Sequence, residues 1–76
     1  MTIRFDLGNN SYKLLVFCFK RLMLSNPVTH KDGSITLGVL TFYQDGTMTS
    51  PVGTDNLVME TALKDIRECG VTYEIL

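Results

Sequence analysis

Two hydrophobic periods alternate along this chain. Thr2–Leu7 has period two, with Ile3, Phe5 and Leu7 on one side and Thr2, Arg4 and Asp6 on the other, which predicts a half-buried strand. Gly8-Asn9-Asn10-Ser11 breaks it, and Ser11 can cap a helix. In Tyr12–Leu24 the apolar residues Tyr12, Leu15, Val16, Phe19, Leu22 and Met23 make one helical stripe opposite Lys13, Lys20 and Arg21. Val16–Phe19 also has strand propensity, but read as a strand both faces would be mixed and the length excessive. Pro27 closes this element, and Val28–Ser34 reads as a polar connection with turn chemistry at Lys31-Asp32-Gly33. Further on, Thr54 is placed to cap a helix over Asp55–Glu68, whose stripe is Val58, Met59, Ala62, Ile66 and Cys69 with Leu63 beside it. Glu60, Lys64, Arg67 and Glu68 face solvent there, with Glu60–Lys64 a favourable i,i+4 pair. Gly70 supplies a left-handed C-cap, and Val71–Leu76 alternates again with Val71, Tyr73 and Ile75 inward.

Between the two helices, Ile35–Pro51 reads as a β-hairpin folded over Asp45-Gly46. A two-residue turn at that dipeptide opposes Gln44 to Thr47 and Tyr43 to Met48. The register assigns Ile35, Leu37, Val39, Tyr43, Met48 and Val52 to the core face. It leaves Leu40 and Phe42 as an apolar pair on the opposite face, among Thr36, Gly38, Gln44, Thr47 and Thr49. The pair is then incidental, or turned inward by a bulge at Gly38, or the seam of an interface. Gly38 could equally mark a close approach of another backbone.

The element order is β-α-β-β-α-β, which predicts one α+β domain over residues 1–76: a four-stranded, mainly antiparallel sheet with two helices on one face. In element order the chain resembles the ferredoxin-like two-layer sandwich. No sequence motif accompanies that resemblance, and the fold hosts many unrelated functions. It would place the second hairpin strand centrally, whereas Thr47–Pro51 is short, Thr-rich and ends in proline. An arrangement with that strand at the sheet edge, with Tyr12–Phe19 as an extra strand, is the alternative.

Composition narrows the function classes. Hydrophobic residues are 45% of the chain and charged residues 20%, an ordinary globular balance. The longest apolar run, Leu14–Phe19, is far short of the ~20 residues a membrane span needs. The start MTIRFDLGNN lacks the apolar region of a signal peptide, so the cytoplasm is the expected compartment. A net charge of −1 suits neither a dedicated nucleic-acid binder nor a DNA mimic. Cys18 and Cys69 lack zinc spacing and are expected as reduced, buried thiols, with a disulfide open to them if the two helices pack side by side.

No catalytic signature emerges. His30 is the only histidine and sits in a polar loop without an identifiable partner. The serines lie in no nucleophile motif, and the glycines form no phosphate-binding fingerprint. No cofactor or metal is implied. The expected function is a small non-enzymatic protein-binding module that occupies a surface of a larger protein. Phages and mobile elements encode inhibitors of this size against host machinery, anti-defence proteins among them. A homodimeric structural or regulatory module and a weak nucleic-acid binder are the alternatives. Two surfaces are candidates: Leu40 and Phe42 on the hairpin, and a stripe of Lys13, Phe17, Lys20, Arg21 and Leu24 on the first helix.

Overall fold

Ile3 and Phe5 are buried while Arg4 and Asp6 face solvent, so the first alternating stretch forms the strand β1, Thr2–Asp6. The computed structural model describes residues 1–76, which continue through α1 (Lys13–Lys20), β2 (Val28–Thr29), β3 (Ile35–Leu37), β4 (Leu40–Phe42), β5 (Thr47–Thr49), α2 (Leu57–Glu68) and β6 (Thr72–Ile75). The strands form one sheet in the order β2-β3-β4-β5-β1-β6, with every neighbouring pair antiparallel. This is a small α+β domain whose sheet has six strands rather than four. The Tyr12–Leu24 stretch is a helix and contributes no strand, although it is shorter than its periodicity predicts.

The extra strands come from two turns. Gly38-Val39 breaks Ile35–Phe42 into β3 and β4, which pair Leu37 with Leu40 and Thr36 with Thr41. Gly38 has φ +60°, as a two-residue hairpin turn with glycine first requires. A Cβ there would meet the side chains of Met23 and Ser25, so the close approach at Gly38 comes from the segment after α1. Val28–Thr29, expected as loop, pairs with β3 as an edge strand. The Asp32 carboxylate closes the intervening turn, accepting from the Ser34 N–H at 2.8 Å and the Ser34 hydroxyl at 2.6 Å. Those two bonds, the hydroxyl's first, hold the Asp32 carboxyl below its ordinary pKa.

The Asp45-Gly46 hairpin exists, but its register differs by one residue from the predicted one. Phe42, not Tyr43, opposes Met48, and Thr41 opposes Thr49. The Tyr43 N–H donates to the Thr47 carbonyl at 2.8 Å and the Gly46 N–H to the Tyr43 carbonyl at 3.0 Å, which makes a three-residue loop closed by a left-handed glycine. The Asp45 carboxylate caps the loop, accepting from the Thr47 N–H at 2.9 Å, and that bond lowers its pKa. A one-residue slip exchanges the two faces of a strand. Leu40 and Phe42 therefore lie in the core, 2% and 0% exposed, while Val39 and Tyr43 face outward. The hairpin surface expected at Leu40 and Phe42 does not exist.

β5 lies between β4 and β1, so the edge-strand alternative also falls. Pro51 stands beyond the end of β5 and interrupts no ladder. The threonines suit the open face: Thr36↔Thr41, Thr41↔Thr49 and Thr2↔Thr49 are successive pairs across β3, β4, β5 and β1. On the other face, Ile3, Phe5, Ile35, Leu37, Leu40, Phe42 and Met48 join Leu15, Val16, Cys18 and Phe19 of α1 and Met59, Ala62, Leu63 and Ile66 of α2 in a single core. The Phe19 and Phe42 rings meet at 5.5 Å between centroids and 58° between planes, tying α1 to the sheet centre. Tyr12 fixes the start of α1 by donating its hydroxyl to the Gly33 carbonyl at 2.6 Å.

α2 starts two residues later than predicted. Its N-cap is Asn56, not Thr54, and the Asn56 Oδ1 accepts from the Met59 N–H at 3.2 Å. Asn56→Ala is expected to cost about 1 kcal/mol in urea denaturation, and Thr54→Ala to stay within roughly 0.5 kcal/mol of the parent. At the other end the Val71 N–H bonds the Ile66 carbonyl and the Gly70 N–H bonds the Arg67 carbonyl, a Schellman cap that stops the helix. The expected Glu60–Lys64 pair does not close, and the only ion pair is Arg4–Glu74, across β1 and β6.

Candidate functional site

On α1 the residues Lys13, Phe17, Lys20 and Arg21 fall at i, i+4, i+7 and i+8, which puts them on one face. The core takes the other side through Leu15, Val16, Cys18 and Phe19. The outer face is what the packing leaves over, and Phe17 at its centre is 61% exposed. A phenylalanine ring kept in water at mid-helix has no packing role in this domain.

Leu24 does not extend the stripe. α1 ends at Lys20 and tightens through i→i+3 bonds, from the Leu22 N–H to the Phe19 carbonyl and from the Met23 N–H to the Lys20 carbonyl. Met23 then turns inward beside Gly38, and Leu24 follows in a bend, fully exposed but off the helix. The face is thus about two turns long, not three.

Charge distinguishes this face from the rest of the surface. No acidic residue occurs between Asp6 and Asp32, whereas Lys13, Lys20, Arg21 and Lys31 all fall in that interval. None of these four cations makes an ion pair. The remainder of the chain carries every acidic residue, so in a molecule of net charge −1 the outer face of α1 bears only positive side chains, with Asp65 of α2 acting on the inner side at Cys18.

The other concavities are shallower in meaning. A cleft of about 420 Å³ over β1 and β6 is lined by Arg4, Glu74 and Tyr73 among others, but Arg4 and Glu74 already satisfy each other. Arg67 lies over the Tyr73 ring at 5.1 Å and donates to its hydroxyl at 2.8 Å, so that cation is occupied too. An apolar cleft of about 160 Å³ lies between Phe19, Met23, Val39 and Met59, with no charged group in its lining. His30 is exposed and shares a 2.6 Å hydrogen bond with the Thr36 hydroxyl. No three His, Cys, Asp or Glu side chains converge as metal ligands, and no buried side-chain polar atom lacks a partner. No helix is long and apolar enough to cross a membrane.

Comparison with protein-family models, with curated protein sequences and with solved structures yields no match.

Proposed function

We propose that this chain is a small non-enzymatic protein-binding module, an inhibitor or modulator that seats the outer face of α1 in an acidic groove of a larger protein. One observation carries the reading: Phe17 stands exposed on a regular helix, ringed by Lys13, Lys20 and Arg21, which have no partners within the chain. An aromatic anchor among unpaired charges is the composition of an interface hot spot, and the complementary surface is an apolar notch rimmed by carboxylates. The neighbour order β4-β5-β1-β6 supports treating the scaffold as a ferredoxin-like sandwich extended by the hairpin of β2 and β3. Its rigid sheet would hold α1 in a fixed orientation.

Affinity capture from cells that naturally carry the chain tests this reading. Wild type is compared with Phe17→Ala, with the triple charge reversal Lys13→Glu, Lys20→Glu and Arg21→Glu, and with Leu57→Ala, which trims an even more exposed apolar side chain on α2. The expected result is a captured protein that Leu57→Ala retains, that Phe17→Ala recovers roughly tenfold less or worse, and that the triple variant loses. Capture indifferent to all three variants removes the α1 face from the account. A salt-sensitive shift with DNA or RNA would favour a nucleic-acid partner instead.

A homodimer is the second reading, and one feature favours it. β6 is an edge strand with an unpaired outer ladder, and Ile75 at its end and Leu76 just beyond it are 50% and 62% exposed. Light scattering separates the two, because pairing through β6 gives a dimer whatever happens at Phe17.

A further inference from the structure

We propose that Cys18 and Cys69 are a thiol-oxidation site, closing reversibly into an intramolecular disulfide that staples α1 to the end of α2. The two helices pack against each other, with Cys18 on the buried side of α1 and Cys69 capping the C-terminal end of α2. Cys18 belongs to the buried side of α1, 2% exposed, with the Cys69 side chain as its neighbour. Cys69 is the C-cap of α2 and is exposed, contrary to the expectation of two buried thiols. It stands next to Gly70 at the Schellman turn that ends α2, where its own N–H bonds the Asp65 and Ile66 carbonyls. One thiol is thus open to a reagent from solution, and the other is reachable only through the first.

That asymmetry sets the order of steps. The exposed Cys69 thiolate attacks one sulfur of a low-molecular-weight disulfide such as oxidised glutathione, forming a mixed disulfide and releasing one glutathione thiolate. The Cys18 sulfur, having given up its proton, then attacks the Cys69 sulfur and expels the second glutathione thiolate. Two protein thiols are oxidised, one glutathione disulfide is reduced to two thiols, and the two protons lost by the protein end on them. Burial, then the nearby Cys69 and Asp65 groups, push the Cys18 thiol up, with Arg21 opposing weakly. The Cys18 thiolate is therefore scarce at neutral pH, and the second step accelerates with alkali. The bond would enclose the chain from Phe19 to Glu68, a long loop whose closure restricts the unfolded state strongly. This inference does not depend on the binding role of Phe17.

The full chain incubated with oxidised glutathione, quenched in acid and weighed intact provides the test. Closure is expected as a monomer lighter by about 2 Da with no titratable thiol, restored by dithiothreitol. Its Tm should rise by more than about 5 °C over the reduced form. Cys18→Ser should instead accumulate the Cys69 glutathione adduct, heavier by about 305 Da, and Cys69→Ser should remain unmodified. Wild-type protein that stops at the adduct, forms covalent dimers or does not react overturns the proposal. A closed form with unchanged or lower Tm overturns the stapling role.

Discussion

Replacing Phe42 with alanine should cost this domain about 3–5 kcal/mol. The ring is fully buried, lies across from Ile35 and Met48 in the neighbouring strands, and packs at a tilt against the Phe19 ring. Its removal would open a cavity where α1, β3, β4 and β5 converge, and the packed sheet cannot collapse into it without moving α1. A domain of this size commands roughly 4–11 kcal/mol in total, so this one ring accounts for at least about a quarter of its stability. Urea denaturation with a shared m-value reads the loss directly. Phe17→Ala is the matched comparison, deleting the same ring from a water-facing position, with an expected change within about 0.5 kcal/mol. Were the two variants equally stable, the observed hairpin register could not be right.

Gly46→Ala should be the most damaging single-methyl addition in the chain. Gly46 has φ +92°, where a side chain costs about 1–2 kcal/mol, and an added Cβ would lie 2.8 Å from the Phe5 carbonyl oxygen. That oxygen is backbone in a central strand and cannot rotate away. The Phe5 N–H also donates to the Gly46 carbonyl at 2.9 Å, so pushing the loop off β1 breaks a sheet bond and lifts Phe5 from the core. Gly70 offers a control, with φ +86° and open space around the added carbon. Gly70→Ala should show the conformational cost alone, about 1 kcal/mol, and Gly46→Ala should exceed it by more than about 1 kcal/mol in the same denaturation series. Equal losses would mean that the approach of the loop to β1 is not tight.

Much of this fold is readable in the sequence, and the errors have local causes. Long periodic stretches place β1, α1, α2 and β6, because burial of one face demands the period wherever an element is longer than about two turns or four residues. The hairpin fails on parity. Asp-Gly serves a two-residue turn and also a three-residue loop that ends in left-handed glycine, and the two differ by one residue. The break at Gly38-Val39 resets parity a second time, so Leu37 and Leu40 can both point inward. One signal does identify the correct register: it gathers Thr36, Thr41, Thr47 and Thr49 on one face and sends Leu40 and Phe42 to the other. Val28–Thr29 is too short to show any alternation, and Thr54 and Asn56 are equally able caps, so neither choice could be made from residue type. On the candidate surface, the helical spacing of Lys13, Phe17, Lys20 and Arg21 is legible. The loss of Leu24 from it follows from where the chain must turn toward β2. The meeting of Cys18 with Cys69 depends on the packing of α1 against α2, which no local pattern specifies.

The pairing of β1 with β6 has a mechanical consequence. The Leu76 N–H bonds the Thr2 carbonyl, and the Ser50 N–H bonds the Met1 carbonyl. Residues 1 and 76 therefore lie side by side at the same end of two antiparallel strands. Tension applied between them loads that ladder like a zipper, opening Leu76 first and then one rung at a time, with no rung sharing the force. A sheet pulled along its strands resists as a block; this one peels. Under directional pulling from residue 76, β6 comes away before α2 or the core feels any load, which makes the last strand the mechanically weakest part of an otherwise well-tied domain.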